Sequence, residues 1–164
     1  STHLGLADQF KERSVEKIYH AIVAGQLINE EGEIDAPIAR HPIHRKLMTV
    51  QPGTSRHART GWRVLEHLTN STLVEAKLYT GRTHQIRVHF KHIGFPLFGD
   101  ILYSSKATTQ LSNDSGVCAT RQMLHARLLA FSHPRHSKRL TFEATWPTDF
   151  ERVINELRSA KTNS

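Results

Sequence analysis

Ten residues, RTGWRVLEHL (59–68), and nine more, STLVEAKLY (71–79), alternate apolar and polar side chains and are separated by just Thr69 and Asn70. A period of two places alternate side chains on opposite faces, the mark of a half-buried strand. A two-residue connection is too short for a crossover, so the pair must be an antiparallel hairpin. The pattern recurs. EKIYHAIVAGQL sets Ile18, His20 and Ile22 against Tyr19, Ala21 and Val23, ending near Gly25. LHARLLAFSHP with KRLTFEATW reads as a second hairpin, and KLMTVQPG as a short strand stopped by Pro52-Gly53. Helical spacing is confined to the ends and one central motif. Leu6, Phe10 and Arg13 follow a candidate N-cap at Thr2. Phe150, Val153, Ile154 and Leu157 follow a Thr148/Glu151 capping box. INEEGEIDAPIARHPIHRK reads as a polar, turn-rich excursion, and residues 104–122 as a flexible loop of low hydrophobicity. With no repeat and no change of composition, residues 1–164 make one domain: α+β, a mixed, mostly antiparallel β-sheet flanked by helices.

Charge narrows the partner. The chain carries 22 Lys and Arg against 15 Asp and Glu, a net +7. That balance points to nucleic acid before an anionic membrane surface, with solubility alone as the bland alternative. No apolar run approaches the roughly 18 residues of a membrane span, and no signal-like stretch opens the chain. A single cysteine, Cys118, excludes an internal disulfide and suits a reducing compartment, hence a cytoplasmic protein. The 12 histidines raise the question of a metal. His89 and His92 lie three apart on a helix, but no carboxylate or thiol in their motif completes a site, so no metal is expected. Paired His-x-Thr units, a glycine-rich phosphate loop and a Gly-x-Ser-x-Gly turn do not occur.

The most heavily patterned segment is LYTGRTHQIRVHFKHIGFPLFGD, ending at Asp100. Its apolar residues fit a strand (Ile86, Val88, Phe90) or a helix (Ile86, Phe90, Ile93). Thr83 as cap, Gly94 at C′ and Pro96 just beyond favour the helix. Gly81 then permits a tight turn into it, and Arg87, one turn in, could grip a carboxylate or phosphate with both prongs of its guanidinium. An ordinary exposed arginine is the competing reading.

The segment from Lys77 to Tyr103 resembles motif III of the RluA-type RNA pseudouridine synthases. LADQFKERSVEKIYHAIVAG is similar to that family's helix and tyrosine-bearing strand, ARHPIHRKLMTV to the loop that follows, and MLHARLLAFSHP to its later motif. The resemblance covers nearly the whole chain outside 104–122. It implies isomerisation of uridine to pseudouridine in structured ribosomal or transfer RNA, without cofactor, by a protein that is a monomer when intact. It assigns Tyr19 to stacking on the uracil and to loss of the C5 proton, and Arg87 to pairing with a catalytic aspartate. Ile86 and Leu124 line the pocket, and Arg82, His84 and Gln85 join the substrate-binding set. Strand packing alone is the competing reading for Tyr19. The family nucleophile is an Asp in a segment like G-x-x-R-L-D-x-x-T-S-G ahead of the first helix, and none of the five aspartates stands in such a context. The chain, opening on Ser1, therefore reads as starting after the catalytic strand, and Arg87 as the partner of a carboxylate the chain lacks. Alone, it is expected to be inactive. A non-catalytic RNA-binding module and, further off, a His-based ribonuclease are the rival readings.

Overall fold

The structure, a computed structural model, describes residues 15–53, 56–133, 135 and 138–160, so the helix expected over Thr2–Arg13 lies outside the described residues. Eight strands occur among these residues: β1 (Glu16–Ala24), β2 (Glu31–Asp35), β3 (Ile38–Arg40), β4 (Met48–Val50), β5 (Arg59–Leu68), β6 (Ser71–Leu78), β7 (Leu124–Ser132) and β8 (Arg139–Glu143). The helices are α1 (Gln85–His92), α2 (Ile101–Ser115) and α3 (Thr148–Ser159). Six strands form one sheet in the order β2-β5-β6-β1-β7-β8, antiparallel at every pairing; β3 and β4 form a separate ribbon.

Alternation along β1 and β6 sets the layers. Ile22 and Leu73 face one way, against Phe150, Val153, Ile154 and Leu157 of α3 and Leu111 of α2. Ala21, Val23, Val74 and Ala76 face the other way, against Ile86 and Phe90 of α1. Both hairpins and all four apolar residues of the last helix thus stand where their periodicity places them. A third, small cluster of Ile38, Ala58, Val88 and Tyr103, joined by Leu47 and Met48, ties the β3–β4 ribbon to α1 and α2.

Four local expectations need correction. The polar excursion holds β2 and β3, because Ile34, Ala36 and Ile38 form a buried period-two series among exposed carboxylates. The expected loop over 104–122 is helical as far as Ser115, because Asp100 caps it and hydroxyls serve the backbone in place of apolar contacts. The Asp100 carboxylate accepts the Tyr103 N–H, Thr108 Oγ1 accepts the Gly99 N–H, and Ser104 Oγ donates to the Leu97 and Asp100 carbonyls. Ser104 breaks the regular helix with φ −150°. At α1 the N-cap is His84, in left-handed conformation (φ 55°), not Thr83, and its side chain makes no cap bond. At α3 extended Pro147 is the N-cap and Thr148 already lies inside the helix; the Glu151 N–H bonds the Pro147 carbonyl, so no capping box forms.

Candidate functional site

Tyr19 projects from β1 on the α1 side of the sheet. Its partners across β6 and β7 are Ala76 and Ala126, so the smallest side chains flank the ring. The β1–β7 register shifts between Ile18 and Tyr19. Such a bulge bends a strand and re-aims the side chain beside it. Tyr19 and Leu124 pack against the apolar cluster that contains Ile86, so the three residues read from the sequence as pocket lining belong to one apolar surface.

Arg87 lies beside Ile86 on α1. Its Nε and Nη2 donate to Oδ2 and Oδ1 of Asp100, each at 2.8 Å, with the arginine side chain 13% and the aspartate 1% exposed. From sequence alone, Arg87 has only a carboxylate outside the chain as its partner; within the chain two of its donors already hold Asp100. Asp100 is brought back over α1 by Gly99 (φ +83°), where an added Cβ would lie 1.9 Å from the Arg121 carbonyl oxygen, so no other residue fits the turn. The pair holds the guanidinium pKa above its ordinary value. Among the described residues Nη1 makes no hydrogen bond, and it remains available to a second acceptor. The guanidinium carbon lies 4.9 Å from the centre of the Tyr103 ring.

His84 meets the same tyrosine. Tyr103 Oη accepts the Met48 N–H at 2.9 Å and lies 2.6 Å from His84 Nδ1. The hydroxyl donates to Nδ1 when the imidazole proton sits on Nε2. Burial first, then Arg87, lowers the His84 pKa. Arg82 donates through Nε to the His57 carbonyl at 2.8 Å. Gln85 is fully committed inside the fold. Its amide nitrogen donates to the Arg59 carbonyl and Thr60 Oγ1, and its oxygen accepts from Thr80 Oγ1 and the Arg82 N–H. It holds the turn into α1 and has no donor or acceptor left for a ligand.

His89 points into the core, not toward His92 as a ligand partner. Nδ1 lies 2.8 Å from Thr60 Oγ1 and Nε2 lies 2.9 Å from the Ala36 carbonyl; burial lowers its pKa. Among the described residues no three His, Cys, Asp or Glu gather as a metal site, and no helix is long and apolar enough to cross a membrane.

Sequence reasoning missed three members of this site. Asp100 and Tyr103 were obscured by the loop reading of α2, although Asp before Ile-Leu-Tyr is a legible cap signal. Lys17 lies two residues before Tyr19, with its ammonium 2.9 Å from where a Cβ on Gly81 would stand; burial lowers its pKa.

The site thus joins a tyrosine on an apolar surface of an antiparallel sheet to an arginine–carboxylate pair on the neighbouring helix. In overall shape this chain matches two human structures, RNA Pseudouridylate Synthase Domain Containing 1 (TM-score 0.72, 24% identity, 98% of this chain and 72% of that one) and Domain Containing 4 (TM-score 0.70, 24% identity, 93% and 66%). At that identity the likeness establishes the fold. The profile of the RNA pseudouridylate synthase family matches residues 1–92, and the chain belongs to that family. It is 43% identical over 160 residues to ribosomal large subunit pseudouridine synthase D of Nitrosomonas europaea (97% of this chain, 46% of that protein) and 42% identical over 156 residues to the uncharacterized RNA pseudouridine synthase YlyB of Bacillus subtilis (95% and 48%). The chain thus spans about half the length of the curated relatives it matches.

Proposed function

We propose that this chain supplies the tyrosine–arginine side of a site that isomerises uridine to pseudouridine in structured RNA, with large-subunit ribosomal RNA as the favoured substrate. The observation that carries the reading is the apolar surface of Tyr19, Ile86 and Leu124, with Arg87 following Ile86 on the same helix and its Nη1 open. The substrate class is supported by the names of the relatives and by the +7 charge. The intact protein is a cytoplasmic monomer in this reading and needs no cofactor.

A uridine extruded from its stack needs an aromatic platform and a frame that excludes water. Tyr19 provides the platform, and Ile86 and Leu124 the apolar frame. A nucleophilic carboxylate from a segment like G-x-x-R-L-D-x-x-T-S-G attacks the sugar or assists glycosidic cleavage. Nη1 of Arg87 keeps that carboxylate ionised and aimed. The N1–C1′ bond breaks, the uracil turns, C5 bonds to C1′ and displaces the carboxylate where that has bonded there, and the C5 proton passes to a base, for which the Tyr19 hydroxyl is the candidate, while N1 gains a proton. Atoms and electrons balance without a redox partner.

Release of tritium from C5-labelled uridine in RNA tests this. The 164-residue chain alone is expected to release none, and a longer protein carrying the Asp segment is expected to release it. In the longer protein Arg87→Ala removes most activity and Arg87→Lys rescues poorly, since an ammonium lacks the planar fork. Tyr19→Phe keeps stacking but slows loss of the C5 proton. Sustained release by the chain alone overturns the assignment. RNA binding without release from the longer protein favours a non-catalytic binding module.

A further inference from the structure

A cavity of about 400 Å³ lies between the β3–β4 ribbon and the outer side of α1, separate from the Tyr19 surface. Its floor is apolar, made by Leu47, Met48, Val50, Val88 and the Tyr103 ring. Its rim carries His41, His44, Lys91 and His92, and no carboxylate lines it. A second hollow on the far side of the same loop, lined by His44, Arg45, Lys46, Leu47 and Leu102, is equally free of acidic groups. In a chain with 15 carboxylates that exclusion marks a surface suited to an anion.

The loop between β3 and β4 is held in shape. His41 Nδ1 accepts the N–H groups of Ile43 and His44 at 3.1 and 2.9 Å, which leaves the imidazole proton on Nε2 as an outward donor. The His41 N–H bonds the Leu47 carbonyl, the Leu47 N–H bonds the His44 carbonyl, and Arg40 and Arg45 each grip a carbonyl of the loop. A preformed site loses little entropy when a ligand enters. The Tyr103 ring is shared, since Arg87 stacks on it at 4.9 Å and the Lys91 ammonium lies 5.9 Å from its centre. The cavity therefore adjoins the arginine of the candidate site.

We propose that this cavity binds one nucleotide of the RNA strand beside the target uridine, its base on the apolar floor and its phosphate against Lys91 and the histidine rim. The volume falls within the roughly 300–1,000 Å³ of ligand pockets, and base stacking over an aromatic floor beside cations is how single-stranded nucleic acid is held. The assignment rests on the reading of the chain as an RNA-modifying protein and deepens it.

The test is fluorescence anisotropy with a short, labelled, single-stranded oligoribonucleotide at low salt and pH 7.5. The double variant Lys91→Ala/His92→Ala is expected to weaken binding about tenfold, as loss of a phosphate contact and its neighbour implies. Lys77→Ala removes equal charge from the opposite face of the sheet and is expected to change binding less than about twofold. An abasic oligomer of equal charge should bind more weakly than the intact one. A 4-thiouridine probe should crosslink within 47–50 or at Tyr103, a readout independent of any variant. Wild-type affinity in the double variant, a loss no larger than that of Lys77→Ala, or equal binding of the abasic oligomer each overturns the cavity assignment alone. Absence of any RNA binding by the wild-type chain overturns the RNA reading with it.

Discussion

Arg87 spends two of its five N–H donors on a carboxylate that is almost entirely buried, so the pair carries structural weight as well as a proposed catalytic role. Removing one partner of a buried ion pair strands the other charge, typically at about 3–5 kcal/mol. Asp100 keeps one other donor, the Tyr103 N–H at 3.2 Å, which softens the loss. Arg87→Ala is therefore expected to destabilise the chain by about 3 kcal/mol in urea unfolding, with Arg87→Lys in between. A loss below about 1 kcal/mol would sink the claim that Asp100 depends on this arginine. Sequence alone could find Arg87 as a two-pronged cation, because its motif is long and regular. It could not find the partner, since the 13-residue return to Asp100 depends on the Gly99 turn and on a helix whose composition disguises it.

Elements with a strict period were legible: β1, the β5–β6 and β7–β8 hairpins, and α3. Those held by capping and hydroxyl–backbone bonds were not. α2 buries just Tyr103, Ser104, Thr108 and Leu111, too few apolar groups to register as a helix. α1 was legible at its C-terminus. Gly94 (φ +88°) donates to the Lys91 carbonyl and Phe95 to the Phe90 carbonyl, the paired bonds of a Schellman motif. No atom lies within 4 Å of an added Gly94 Cβ, so Gly94→Ala tests conformation alone and should cost about 1 kcal/mol in the same assay. An unchanged midpoint would mean that the cap is dispensable. Among the described residues β8 forms one edge of the sheet, with Phe142 58% exposed and stacked on Phe131 at 5.9 Å. Unpaired apolar edges pair with one another. Sedimentation should show concentration-dependent association, relieved by Phe142→Lys without loss of thermal stability; a chain monomeric at every concentration would show the edge to be protected.

Among the described residues His20, His84 and His89 are buried or half-buried acceptors with lowered pKa values, on both faces of the sheet. His20 Nδ1 accepts the Trp146 indole N–H at 2.9 Å; the Nδ1 atoms of His84 and His89 meet the hydroxyls of Tyr103 and Thr60. A hydroxyl can turn when its partner gains a proton, but an indole N–H cannot, so protonating His20 sets two donors head to head. All three pKa values lie below 6.5, with burial the largest cause in each. At His20, Glu75 opposes the shift while Arg127 and His125 add to it. The sign follows from proton counts. Above pH 6.5 neither the folded nor the unfolded chain protonates these rings, and their contribution is fully present. As the pH falls below 6.5 the unfolded chain binds protons that the folded chain refuses, so stability drops. For the fully buried His89 the loss is about 1.4 kcal/mol per pH unit until its folded pKa is reached. Thermal unfolding at pH 7.5, 6.5 and 5.5 should show a falling midpoint, steeper below 6.5 than above. NMR titration should leave the His20, His84 and His89 imidazoles neutral as the pH falls below 6.5. A midpoint that holds or rises between pH 6.5 and 5.5 would mean that these rings protonate without strain, and that their Nδ1 hydrogen bonds do not secure the fold.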